Sequence, residues 1–180
     1  NVSSETLTDP EKVGSVLPDS NLGFRNDFTW KGFNLGVMLS ARFGGVVLSQ
    51  TQAIMDQYGV SETSANLRGQ GGVTVNNGLV DTQKYFSVVG GSNGVLSHYV
   101  YSATNVRLQE LSLGYTFPRK WFNDKLALNL SVVGRNLWMI YCKAPFDPES
   151  TASTGTYYQG LDYFMQPSLR NIGFSVKLQF

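Results

Sequence analysis

Few residues in this chain have the types and spacing that chemistry requires. His98 is the only histidine, so no histidine-based triad or multi-histidine metal set can be assembled. Beside Tyr99 it reads as a solvated or packed loop residue. Asp147 and Glu149 flank Pro148 in the run FDPES. Two carboxylates so close together suit acid–base work or Ca²⁺, but a polar loop tip is the simpler expectation, and Asp162 comes with no spacing motif. The glycines of Arg68-Gly-Gln-Gly-Gly72 imitate a phosphate loop without its Lys-Ser/Thr pair or its strand-to-helix setting, and a flexible loop is expected there. Cys142, the single cysteine, cannot form an internal disulfide and reads as a small hydrophobe. No catalytic set converges, so no enzyme, metal or cofactor is expected. The residues best suited to touching a ligand are Tyr157, Tyr158, Tyr163 and Phe164, whose ring faces stack on sugars or peptide side chains. Packing against neighbouring loops is the competing reading of that run.

The elements that would position these residues are strands. Leu22, Phe24, Phe28 and Trp30 alternate with Gly23, Arg25, Asp27 and Thr29, with Asn26 the one exception on the apolar face. After a turn at Lys31-Gly32, the residues Phe33, Leu35, Val37, Leu39, Ala41 and Phe43 alternate with polar or small ones. Period-two patterning of this kind predicts half-apolar strands, here over 22–31 and 33–43. A third is expected over 105–117, with Leu111, Leu113, Tyr115 and Phe117 on one face. Val106 and Leu108 fall on the wrong parity for it, which predicts a β-bulge or a polar upper section. Leu126, Leu128, Leu130 and Val132 mark a fourth strand over 126–138. A fifth over 169–180 carries Ile172, Phe174, Val176, Leu178 and Phe180 on one face. Between them, 44–104 and 139–168 are long connections. Short helices are expected from Ser49 to Tyr58 and from Asp81 to Val89, with Asp81 as N-cap.

Connections of alternating length, short at 31–32 and 118–124 and long at 44–104 and 139–168, are the pattern of a transmembrane β-barrel. The aromatics agree with it. Trp30, Phe33, Tyr115, Phe117, Trp121, Phe122 and Phe180 fall at the short-turn ends, and Phe43, Trp138 and Tyr141 at the long-loop ends, as two interfacial girdles would. Charged residues are 15% of the 180, aromatics 13%, and the net charge is +1, which gives no basic surface for nucleic acid. Apolar runs are far too short for a membrane helix. Arg25, Asp27, Arg42, Arg107, Arg135 and Lys177 would face the barrel lumen. The fold class expected is all-β, an antiparallel transmembrane β-barrel segment of about five strands with two long outer loops containing short helices. Five strands cannot close a barrel, and no signal peptide is visible, so the chain is expected to be the C-terminal part of a larger barrel.

Four segments in order, NDFTWKGFNLGVMLSARFGG (26–45), YVYSATNVRLQELSLGYTFPRKW (99–121), LSVVGRNLWMI (130–140) and PSLRNIGFSVKLQF (167–180), resemble the C-terminal end of SusC/RagA-type TonB-dependent transporters. That family shows a hairpin with a "ykGf" turn, an "RLke-sLgYtlP" strand, a "GrNLf" strand and a closing strand ending in Phe. The resemblance implies an outer-membrane protein of Bacteroidetes that imports glycans or peptides. Implied partners are a SusD-like surface lipoprotein, TonB acting on an N-terminal part absent here, outer-membrane lipid and the barrel assembly machinery. For that machinery Phe174, Val176, Leu178 and Phe180 would form the C-terminal signal. It further implies a periplasmic C-terminus, membrane-interface roles for Trp30, Phe33, Tyr115, Phe117, Trp121 and Trp138, and substrate contact by the loop aromatics. Other readings stay open: a soluble carbohydrate-binding module, a passive porin or a siderophore receptor.

Overall fold

The alternating segments form hairpins because their turns can close. Trp30 pairs with Phe33 across Lys31 and Gly32, whose φ values of 46° and 90° make a turn with both central residues left-handed. Gly32 also has no room for a side chain, since a Cβ there would stand 2.9 Å from the Thr116 carbonyl oxygen. This computed structural model describes residues 12–123, 125–153 and 155–179; the expected role of Phe180 lies outside the described residues. The chain divides into two units.

The first unit is a five-stranded antiparallel sheet. In chain order its strands are β1 (Ser20–Trp30) and β2 (Phe33–Phe43), then, after β3 to β6 described below, β7 (Asn105–Thr116) and β8 (Ala127–Cys142), and finally β10 (Asn171–Gln179). The spatial order is β1-β2-β7-β8-β10. Register places like with like across the whole sheet. One row runs Phe28, Leu35, Leu113, Val132, Phe174, and the next towards the turns runs Trp30, Phe33, Tyr115, Leu130, Val176. No described residue covers this face. Phe28 is 55% exposed, Leu113 54%, Val132 54% and Phe174 87%. Among the described residues of this unit the buried apolar ones are Ala103, Ala144 and Pro148.

The expected bulge is present. Leu39 pairs with Leu108 but Met38 pairs with Glu110, so Gln109 is the extra residue of β7 and returns Leu108 and Val106 to the apolar face. Strand β8 answers with irregularities of its own, one at Asn136, where φ is 51°. These interrupt the alternation, and for that reason β8 continues to Cys142, past the expected end at 138.

The second unit holds the two long connections. It contains β3 (Val46–Ser49), α1 (Gln50–Gln57), α2 (Glu62–Gly69), the hairpin of β4 (Val73–Val75) and β5 (Gly78–Val80), α3 (Thr82–Val89), β6 (Val100–Ser102) and β9 (Leu161–Asp162). Ser49 and Asp81 cap α1 and α3 as their types dictate, each accepting from a backbone N–H one turn on. Helix α2, capped by Ser61, was not expected, and Arg68 lies in its last turn rather than in a flexible loop. The two connections are stitched together by β3, which pairs antiparallel with β6 and parallel with β9. Ala53, Val89 and Tyr99 form the buried centre, with Leu48, Tyr85 and Tyr101 packed on it.

Two substitutions separate the faces of the sheet. Leu113→Arg is expected to destabilise the full barrel in lipid by about 2–4 kcal/mol, whereas Gly173→Ser, on the opposite face where an added Cβ meets nothing within 4 Å, leaves it within about 0.5 kcal/mol. Urea unfolding in liposomes measures both.

Candidate functional site

The polar face of the sheet is linked by hydrogen bonds from strand to strand. Near the short turns Thr29 Oγ1 donates to Asn34 Oδ1 (3.2 Å), Asn34 Nδ2 to Thr116 Oγ1 (3.0 Å), and Asn129 Nδ2 to the same hydroxyl (2.7 Å). Further along, Arg25 pairs with Asp27 at 2.9 Å and Arg135 with Glu110 at 3.0 Å. Gly36 is glycine for contact reasons: a Cβ would stand 2.5 Å from Ser112 Oγ and 2.9 Å from Asp27 Oδ1. The exposed Arg25–Asp27 pair contributes little to stability.

Arg107 is different. Only 2% of its side chain is exposed, and its guanidinium donates to Asn136 Oδ1 (3.1 Å) and Asp147 Oδ1 (2.8 Å) and pairs with Glu149 Oε2 (3.3 Å). Asp147 Oδ2 accepts from the Ser168 amide, and Asn136 Nδ2 donates to the Ser168 carbonyl at 2.8 Å. One buried cation therefore fixes both the outgoing chain at 147–149 and the returning chain at 168. The expectation of a polar loop tip at Asp147 and Glu149 is corrected here, since both carboxylates are committed to Arg107. Sequence spacing gives no sign of a partner forty residues away. Burial raises the Asp147 carboxyl, but hydrogen bonds from Ser168 and Arg107 outweigh it and hold the group below its ordinary value of 3.8.

In the second unit Asp162, which no motif marked, is buried and accepts from Ser49 Oγ at 2.6 Å. Phe164 N donates to Thr51 Oγ1 at 2.7 Å, and Tyr163 stacks edge-on against Phe164 with centroids 5.4 Å apart. Tyr157, Tyr158, Tyr163 and Phe164 are all exposed, Tyr157 at 95% and Tyr163 at 50%. His98 lies in a 3₁₀ turn with its ring edge-on to Tyr99. Among the described residues no group of three or more His, Cys, Asp or Glu could hold a metal ion.

At the short-turn ends of the strands the aromatics form a chain of contacts. Phe33 and Tyr115 are 4.7 Å apart, Tyr115 and Phe117 4.9 Å, and Phe117 and Trp121 5.7 Å. Lys31 Nζ sits 5.1 Å over the Trp30 ring.

No protein-family model matches the chain. Two curated relatives from Formosa agariphila do: TonB-dependent receptor P3, 26% identical over 97% of this chain, and TonB-dependent receptor P39, 25% identical over 98%. The chain spans only 18% and 17% of their lengths. Among solved structures, the RagAB peptide importer superposes in its open-open state with a TM-score of 0.69 over 93% of this chain and 18% of that one, and in its closed-closed state with 0.68 over 98% and 19%. Sequence identity to both is 21%, which establishes likeness of fold. By fold the chain is a segment of an antiparallel transmembrane β-barrel. The curated relatives are TonB-dependent receptors by name and the structural likeness is to RagAB, and the apolar face of this barrel segment is the face such a fold turns to lipid.

Because the folded Asp147 value is depressed, its contribution is fully present above the ordinary carboxylate range and is lost as pH falls through the lowered value. The exchange protection of the Ser168 amide in the full-length protein, measured against the intrinsic rate at each pH, should persist through the ordinary carboxylate range and fall only below it. Asp147→Asn should lower the same protection at neutral pH, with a loss of about 3 kcal/mol.

Proposed function

We propose that this chain supplies strands and outer loops to a TonB-dependent outer-membrane transporter that imports glycans or peptides together with a SusD-like surface lipoprotein. The observation carrying the proposal is the five-stranded sheet with one polar face and one apolar face that no described residue covers. Its likeness to TonB-dependent receptors and to a peptide importer supports the same reading. In this assignment the Arg25, Arg107 and Arg135 face lines the lumen. Trp30, Phe33, Tyr115, Phe117, Trp121 and Trp138 sit at the membrane interfaces, where amphipathic rings are favoured. Phe174, Val176 and Leu178 present the outward face of β10 to the barrel assembly machinery. The turn at Lys31-Gly32 and the end of β10 lie on the periplasmic side, and the 44–104 and 139–168 connections face outside. TonB acts through a part of the protein outside this chain. Tyr157, Tyr158, Tyr163 and Phe164 supply stacking surfaces for the incoming solute.

Disruption of the gene, with uptake followed in the native host, tests the assignment. The transporter should co-purify with a surface lipoprotein, and uptake should stop when TonB is deleted. Uptake that persists without TonB would identify a passive porin, and a transporter without a lipoprotein partner would favour a siderophore receptor. Alanine at Tyr157, Tyr158, Tyr163 or Phe164 should each weaken solute binding by about 1 kcal/mol, or about fivefold in Kd by titration calorimetry.

A further inference from the structure

The second unit contains a pocket that the sequence did not announce. It opens where the C-terminal end of α1, the last turn of α2 and the first turn of α3 meet, and encloses about 360 Å³. That lies within the range of small-molecule sites, about 300–1,000 Å³. Its lining is unusual in composition. Tyr58, Arg68, Gln57, Asp81, Thr82 and Gln83 contribute, together with Asp56 and Gly59, and no aliphatic side chain of the described residues takes part.

Asp56 is committed, accepting from Gln52 Nε2 at 2.9 Å and from Ser61 Oγ, but several of the other polar groups are not. Arg68 forms no ion pair or side-chain hydrogen bond with another described residue, and its Nη1 lies 2.7 Å from where a Cβ on Gly59 would stand. Asp81 spends one carboxylate oxygen, Oδ1, on the Lys84 amide as the cap of α3. Thr82 is 3% exposed, yet its hydroxyl has no partner among the described residues, a costly arrangement that a bound hydroxyl or water would relieve. Tyr58, at the end of α1, is 74% exposed and offers an open ring.

Charge and chemistry narrow the ligand. The lining carries one guanidinium and two carboxylates, of which Asp56 is already engaged by Gln52 and Ser61, so an anion is not favoured, and the described residues provide no three-ligand set for a metal ion. The absence of aliphatic lining leaves an apolar peptide side chain without a complement. A ligand that presents donors and acceptors together, on a flat ring with C–H faces, matches planar amide, carboxylate and guanidinium groups beside a tyrosine. We propose that this pocket binds one neutral sugar ring, with Tyr58 as its stacking face and Arg68, Asp81 and the two glutamines as partners of its hydroxyls. The inference rests on the transporter reading only for what the bound sugar is for, and it would make the incoming solute a glycan.

Saturation-transfer NMR on the complete detergent-solubilised transporter, with glucose, galactose, mannose and xylose as probes, tests it. At least one should receive saturation, and Tyr58→Ala and Arg68→Ala should each weaken its binding tenfold or more. Arg68→Lys, which keeps the charge and loses the fork, should fall between them and the parent. Lys84→Ala, outside the lining, should leave binding unchanged. Absence of transfer to all four sugars, transfer indifferent to Tyr58 and Arg68, or a trialanine probe that binds with the same dependence on those two residues would each overturn the proposal. Binding that follows these rules in a protein whose cells show no TonB-dependent uptake of either sugars or peptides would sink the transporter reading and leave the pocket standing.

Discussion

An antiparallel sheet satisfies its own backbone polar groups along every internal strand, so what decides where it can exist is the solvent its side chains require. Here the row Phe28, Leu35, Leu113, Val132 and Phe174, and the rows on either side, are left uncovered by the described residues. Each large apolar side chain left in water forgoes about 1.5–3 kcal/mol of burial, and this sheet carries many of them. In lipid the same side chains are at home, and the requirement passes to the backbone: every N–H and C=O must be paired. The strands β1 and β10 are paired on one side only among the described residues, and in a barrel those edges meet further strands.

The polar face has the opposite problem, that of holding charge in place. Arg107 is nearly inaccessible and its three partners come from β8 and from the segment that follows it. Replacing such a group by a hydrophobe need not destabilise a protein, so its value is not mainly energetic. What Arg107 supplies is position: Asp147, Glu149 and Asn136 converge on it, and Asp147 and Asn136 in turn hold Ser168. Both ends of the excursion that bears Tyr157 to Phe164 are thereby fixed, while the rings themselves stay exposed.

Much of this was legible in the sequence because side-chain alternation is a local signal. The strand faces, the Lys31-Gly32 turn, the helix starting at Ser49, the cap Asp81 and the bulge in β7 all follow from a residue's near neighbours. The parts that were not legible depend on distant ones. Strands β3, β6 and β9 are two to four residues long, too short for any period to register, and exist because they pair with each other. Helix α2, with the sequence ETSANLRG, has no apolar stripe to announce it. The pocket beside it is assembled from three helices, and Arg68 joins it only because it is helical. Asp147 looked like a loop tip for the same reason: its partner is on another strand.

The bulge at Gln109 sets how β7 can change length. Side chains alternate, so removing one residue from a strand turns everything on one side of the cut inside out. Gln109 is the residue that β2 leaves unmatched, and its loss would keep Leu108 outward and Arg107 inward. Losing a residue between Leu111 and Tyr115 would instead exchange the two faces of one end of the strand. Lineages that carry this strand are therefore expected to differ by single-residue insertions or deletions at the position of Gln109, and by pairs elsewhere.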